Sequence, residues 1–413
     1  MTLQVDSILA SIGWLLGIGL LAAWLARRLD IPDLVLFVLA GIVLGPQVAG
    51  LVNLPLSQGV GQLIVTGGAA FMLYEGGRAV DLSVLKRIWL GVGLISLFGV
   101  ILTAAFVAGA ARLFLGVPWI VAVLTGVVVA STDPATIVPL FQSVRVHRRI
   151  QQLVVSESAF NDAMGAVLTL TVMGIATTGS FSLGGALVNL GTLVVVGAAV
   201  GLGMGFLLQF LVARDTGRHG PLDRHEENGA LSPLAITSAY ALASGIGGSG
   251  FMAVFLAGLV RGNARRWRLY VGDDREATHQ SFMDFLSLVV RILIFGVLGA
   301  SVKIKLLAGL GGAGLLVIGV FIFIARPVTV MICLGLDRIA RFSLREILFI
   351  SWVRETGVVP AALASLLLAT GAQGAETVAS VTVLAVIVTI VVQAPTTRWW
   401  AGKTGVTSGP TDG

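Results

Sequence analysis

Ser131-Thr132-Asp133-Pro134 lies in the middle of an apolar run from Trp119 to Phe141. A proline there removes an amide donor and clashes with the preceding turn, so a helix crossing at this point is broken, and carbonyls near Ser131 and Thr132 are left free. The next apolar run, Leu153 to Thr177, carries Glu157-Ser158-Ala159-Phe160-Asn161-Asp162. Asp133, Glu157 and Asp162 thus stand inside hydrophobic sequence. An ionisable group at bilayer depth costs about 2.5 to 3.5 kcal/mol on insertion scales, and it is kept where it serves transport or proton handling. Three such groups close together mark an ion pathway.

The rest of the chain supplies the membrane. With 56% hydrophobic residues, 12% charged residues and a mean hydropathy of +0.96, a chain of 413 residues is a polytopic membrane protein and not a water-soluble globule. About thirteen apolar runs are suited to crossing a hydrocarbon core of about 30 Å. They cover residues 8–25, 34–48, 60–74, 88–115, 119–141, 153–177 and 183–213, then 231–246, 251–260, 282–300, 306–336, 347–369 and 377–393. The expected class is therefore all-α, with about 13 transmembrane helices.

Positive charge in the connecting loops orients them. The odd loops carry Arg27 and Arg28; Arg78, Lys86 and Arg87; Arg145, Arg148 and Arg149; Arg214, Arg218 and Arg224; Arg261, Arg265, Arg266, Arg268 and Arg275; then Arg338, Arg341 and Arg345. The even loops hold only Arg112, Lys303 and Lys305. The positive-inside rule places the N-terminus outside and the C-terminus in the cytoplasm of a multi-pass protein of the cell (plasma) membrane. The net charge of +6 is topogenic, and basic residues dealt out loop by loop argue against a nucleic-acid partner. The first run follows Asp6 without a basic segment and reads as a span, not a cleaved leader. The single Cys333 excludes an internal disulfide and a thiolate metal cluster. His147, His219, His225 and His279 fall in loops and read as solvated, which removes histidine-dependent membrane proteases. Neither an enzyme nor a resident cofactor is expected.

A second interruption stands in the twelfth run, where Arg354-Glu355-Thr356-Gly357 is followed by Pro360. Residues 8–177 and 231–393 read as two repeats around a linking helix at about 183–213, and the fifth and twelfth runs are then equivalent. Paired interruptions at equivalent positions indicate an inverted-repeat transporter. The whole is one transmembrane unit over 1–397, with residues 398–413 as a short cytoplasmic tail. Glycine-rich stretches such as Gly201-Leu202-Gly203-Met204-Gly205 read as close helix packing.

Phe71-Met72-Leu73-Tyr74-Glu75-Gly76-Gly77, the two stretches quoted first, and Ser249-Gly250-Phe251-Met252-Ala253-Val254-Phe255-Leu256-Ala257-Gly258 occur in the order of the motif series of monovalent cation/proton antiporters. The chain resembles the NhaP-type branch over nearly its whole length. The resemblance implies an NhaA-like fold with two crossed broken helices, a core domain bearing the ion site, a separate dimerisation domain and a homodimer. It also implies exchange of a monovalent cation, Na⁺ first with K⁺ or Li⁺ as alternatives, for H⁺ by alternating access. A cation channel, or a carrier of a larger substrate on a related fold, is the rival reading.

Ser158 and Asp162 are four apart and share a helix face, while Glu157 and Asn161 form a second pair rotated by about 100°. A dehydrated monovalent cation takes oxygen ligands, and the Asp162 carboxylate, the Ser158 hydroxyl and a Thr132 carbonyl supply them. The resemblance assigns the same positions, with Asp133 and Glu75 close by. Electrogenic relatives place a second Asp at Asn161, so its amide implies electroneutral exchange of one cation for one proton. Glu157, facing the other way, needs a cationic partner, and Arg326 beside Pro327 is preferred to Arg291. Asp133 and Arg354-Glu355 are expected to neutralise the facing half-helix ends. One departure stands out: where the family usually has Gly-Leu-Arg-Gly, this chain has Val353-Arg354-Glu355-Thr356-Gly357, leaving Thr356 where an Arg is expected.

Overall fold

The structure, a computed structural model, describes residues 2–29, 31, 33–54, 59–132, 141, 146–178, 183–215, 225–269, 273–354 and 356–407. It is helical throughout, with one isolated antiparallel bridge, Val146 to Thr407, among the described residues. The first half comprises α1 (Thr2–Leu29), α2 (Asp33–Leu44), α3 (Gly59–Ala79), α4 (Leu82–Ala110), α5 (Trp119–Val129), α6 (Arg148–Thr178) and α7 (Leu183–Asp215). The second comprises α8 (His225–Gly245), α9 (Gly250–Gly262), α10 (Asp273–Ser301), α11 (Ile304–Val320), α12 (Arg326–Gly335), α13 (Leu344–Trp352), α14 (Val358–Thr370), α15 (Ala375–Val388) and α16 (Ala394–Thr404). Each of the apolar runs contains helix. Among the described residues, seven helices are long and apolar enough to cross a membrane unaided, and Asp33–Leu44, Trp119–Val129, Gly250–Gly262 and Val358–Thr370 are shorter apolar helices.

Local chemistry explains the starts. Asp81 precedes α4 and accepts the Ser83 amide at 2.8 Å; Ser249 precedes α9 and accepts the Met252 amide at 3.2 Å. Ser343 and Glu346 form a reciprocal capping box on α13. Outward-facing positions on α1, α4 and α7 are large and apolar, including Trp14, Leu21, Phe98, Ile101, Leu187 and Val195. Such a surface suits lipid and not water.

Among the described residues, three π-helical turns interrupt the long helices: Ala111–Leu115 after α4, Phe321–Ala325 between α11 and α12, and Thr389–Gln393 between α15 and α16. Each widens the helix by one residue and rotates everything beyond it. Residues 398–404 continue α16, the Trp400 indole donates to the Leu348 carbonyl at 3.1 Å, and the His147 amide donates to Val406 O at 3.1 Å.

The tightest crossing is α3 on α9. A Cβ on Gly77 would lie 2.1 Å from Phe255 O, one on Gly258 2.1 Å from Tyr74 O, and one on Gly262 2.2 Å from Arg78 O. Backbone touches backbone, so only glycine fits.

Candidate functional site

The first helix break begins where α5 stops. Ser131 and Thr132 leave the helical path, both buried. The second opens after Trp352: Val353 is extended, Gly357 is off the helical path at φ −134° and ψ −139°, and helix resumes at Val358. Pro360 falls in the first turn of α14, where its missing N–H leaves no helical bond unmade.

The two breaks meet. The Arg354 guanidinium donates to the Ala130 carbonyl, placing a cation on the negative end of the α5 half-helix, and it stacks over Phe321 at 5.0 Å. The α13 end is satisfied in parallel. Gln393 Nε2 donates to Trp352 O at 2.7 Å, Arg326 Nη2 donates to Ile350 O at 3.2 Å, and Thr389 Oγ1 accepts the Thr356 amide at 3.2 Å. Thr389 and Gln393 both come from a π-helical turn, a role that the sequence reading missed. The position that resemblance gives to an Arg is filled by Thr356, wholly buried, while Arg354 delivers the guanidinium to the crossing.

Helix α6 brings the carboxylates. Glu157 faces Arg326, with Nη2 at 2.8 Å from Oε2 and Nη1 on Oε1, and both side chains are 2% exposed. Arg326 follows directly on the π-helical turn Phe321–Ala325. Arg291 instead lies 3.8 Å from Asp33.

Toward the first break, Asn161 Nδ2 donates to Thr132 Oγ1 at 3.3 Å, Thr132 Oγ1 donates to Ser158 Oγ at 3.2 Å, and Ser158 Oγ donates to Thr132 O at 2.7 Å. This directed chain ends on a carbonyl that the first break releases. Asp162, 6% exposed, lies one turn beyond Ser158 on the same helix. The Asn161 Oδ1 and Ser131 Oγ atoms are buried without hydrogen-bond partners among the described residues. Oxygen atoms are thus concentrated at the break, and the Asn161 side chain is bonded to them through Thr132 Oγ1. Gly165 makes room: a Cβ there would lie 1.9 Å from Ser131 Oγ.

Glu75 is paired with Arg78 one turn on, at 2.6 Å. Asp133 and Glu355 lie outside the described residues. His279 corrects the reading of loop histidines as solvated: it is 3% exposed, with Nε2 3.2 Å from Ser232 Oγ, which lies 3.1 Å from the Tyr74 hydroxyl. A polar chain across α3, α8 and α10 satisfies the ring inside the packing, which loop charge alone did not reveal.

Residues 16–403 match the family described as sodium/hydrogen exchanger, transmembrane. The chain is 33% identical over 368 residues to Na(+)/H(+) antiporter 1 of Methanocaldococcus jannaschii, covering 86% of this chain and 81% of that one. It is 32% identical over 410 residues to the K(+)/H(+) antiporter NhaP of Alkalimonas amylolytica, covering 97% and 68%. The solved structure of the sodium proton antiporter MjNhaP1 from M. jannaschii at pH 8 superposes with a TM-score of 0.84 at 28% identity, over 98% of this chain and 99% of that one. With its two interrupted helices meeting beside a buried carboxylate, this all-helical membrane chain belongs to the sodium/hydrogen exchanger family, whose members are antiporters and not enzymes.

Proposed function

We propose that the chain exchanges a monovalent cation, Na⁺ in the first place and K⁺ or Li⁺ as alternatives, for H⁺ at Asp162, one for one, by alternating access. The carrying observation is the hydrogen-bond chain that ends on Thr132 O. Without a cation, the Ser158 proton occupies that carbonyl. A cation held by the Asp162 carboxylate and Thr132 O replaces this proton, and Ser158 turns its lone pair inward. Its hydroxyl serves both states because it both donates and accepts.

Competition follows from a single shared carboxylate. A proton and a cation claim the same Asp162 oxygens, so the two substrates exclude each other. Asn161 adds an oxygen without adding a charge that titrates. Glu157 is held by Arg326 and takes no part in the exchange.

The supporting frame is two inverted repeats, about 8–177 and 231–393, with the helix at about 183–213 between them. The chain works as a homodimer in the plasma membrane, N-terminus outside and C-terminus in the cytoplasm, as the charge of the loops indicates. The test is dequenching of a pH-sensitive dye in reconstituted vesicles on addition of Na⁺, K⁺ or Li⁺. The parent responds to at least one cation, whereas Asp162→Asn, which keeps shape but cannot exchange a proton, responds to none while remaining folded. Retained cation-driven flux in that variant would sink the mechanism.

A further inference from the structure

Where the α3–α4 turn meets the end of α9, a cavity of about 290 Å³ opens, remote in the chain from the helix breaks. Arg78, Asp81, Ser83, Asn263, Arg265 and Arg266 supply its polar lining. Among these lining residues three carry guanidinium groups and one a carboxylate. That carboxylate is already engaged, by Arg148 at 2.9 Å and by the Ser83 amide and hydroxyl at 2.8 and 2.5 Å. Arg78 is held by Glu75 at 2.6 Å and Gln280 at 2.8 Å, which fixes its position at the wall.

The walls are tied together before any ligand arrives. Asn263, 8% exposed, donates from Nδ2 to Val80 O at 2.8 Å and to Leu259 O at 2.9 Å, and its Oδ1 accepts the Leu82 amide at 3.0 Å. Arg265 and Arg266 are exposed and consecutive on the short 3-10 turn Ala264–Trp267. Arg268 ends that turn in the left-handed region, φ 58°, with its amide on Arg265 O at 3.2 Å. A residue with a side chain adopts that conformation only when its surroundings require it. The turn therefore presents its arginines on a fixed backbone.

Planar guanidinium forks match the oxygens of a phosphate in pairs, which a compact ammonium does not. The same turn also reaches apolar surface. Trp267 packs edge-on against Phe206 at 4.9 Å, and Leu207, Phe210 and Leu211 beside it on α7 are exposed. Arginine and tryptophan side by side at the margin of an apolar surface are suited to headgroup depth. We propose that this cavity binds a phosphate-class anion, supplied by the headgroup of an anionic phospholipid.

The full chain in lipid-free detergent is titrated with dioctanoyl phosphatidylglycerol, dioctanoyl phosphatidylcholine or inorganic phosphate, and the thermal midpoint is followed. Phosphatidylglycerol raises the midpoint and phosphatidylcholine does not. In R265Q/R266Q the half-saturating concentration of phosphatidylglycerol rises about thirtyfold, from two arginine contacts to an anionic headgroup. Arg266→Lys, which keeps the charge and loses the fork, gives a smaller rise. R338Q/R345Q removes the same charge from another loop and leaves the titration unchanged. Stabilisation by inorganic phosphate at the same concentration as by the lipid would keep the anion site and overturn the lipid as its source. Equal effects of the two lipids, or equal weakening in the two double variants, would overturn the site.

Discussion

Replacing Arg326 by Met removes the donors that the buried Glu157 carboxylate has among the described residues. In the parent, its hydrogen-bond donors among the described residues are the two Arg326 nitrogens, and both side chains are 2% exposed. Stranding a buried charge in this way costs about 3 to 5 kcal/mol. Glu157→Met strands the guanidinium instead, relieved only by the bond to Ile350 O. The two single variants therefore sum to roughly 6 to 10 kcal/mol. Removing both charges together leaves the Ile350 carbonyl short of a donor, about 1 to 3 kcal/mol. The double variant is then more stable than either single one, with a coupling of at least about 3 kcal/mol, as for residues in direct contact. Arg291→Met is the control: its partner Asp33 is 3.8 Å away and partly exposed, so the change costs under about 1 kcal/mol. Thermal midpoints of the purified proteins in one detergent, at one scan rate, report the order of stability. A double variant as unstable as the sum of the singles, or a fully stable Arg326→Met, would refute the reasoning.

Three further outcomes are expected. Ser158→Ala raises the half-saturating cation concentration about five- to tenfold, the worth of one net polar contact, and leaves the maximal exchange rate within about twofold; an unchanged half-saturation removes Ser158 from the ligand set. Gly258→Ala forces α3 and α9 apart, because the new Cβ starts 2.1 Å from Tyr74 O, and it destabilises by about 1 to 3 kcal/mol or more. Gly203→Ala on α7, with nothing within 4 Å, is neutral or slightly stabilising, and equal behaviour of the two in a melting assay would contradict the close crossing. In vesicles with an imposed potential, the pH gradient at which exchange stops is the same as at zero potential; a dependence near 2.3 kcal/mol per 100 mV means that a second charge moves in each cycle.

The apolar runs and the two interruptions were legible because hydrophobic length and proline chemistry act locally. The choice of Arg326 for Glu157 was legible for a related reason: a buried carboxylate demands a cation, and few basic residues stand inside apolar sequence. What escaped was geometry set by distant contacts. Composition does not show a π-helical turn, since Thr389-Ile390-Val391-Val392-Gln393 reads as ordinary apolar helix. Yet that turn carries Thr389 and Gln393 to the second break. Nor does local sequence reveal that Arg354 reaches a carbonyl 224 positions away, or that a histidine beside a charged loop is buried through Ser232. The room that Gly165 gives Ser131 belongs to the same class, because a close approach is a property of two helices and not of either one.

The Arg354 guanidinium, seated on the end of α5, also sets a charge tally for the moving core. Counting one formal charge each on Glu157, Arg326, Arg354 and Asp162, the empty site sums to zero. Occupied by a proton it sums to one positive charge, and occupied by a monovalent cation it sums to the same. Asp133 and Glu355, if they keep one protonation state, add equally to both loaded forms. Whatever field acts on the outward step with one substrate acts in reverse on the return step with the other. Voltage then has no purchase on where the exchange comes to rest, yet it can speed one half of the turnover and slow the other. A current that is zero on average but appears as a brief displacement after a sudden cation jump would be the electrical signature of that fixed arginine.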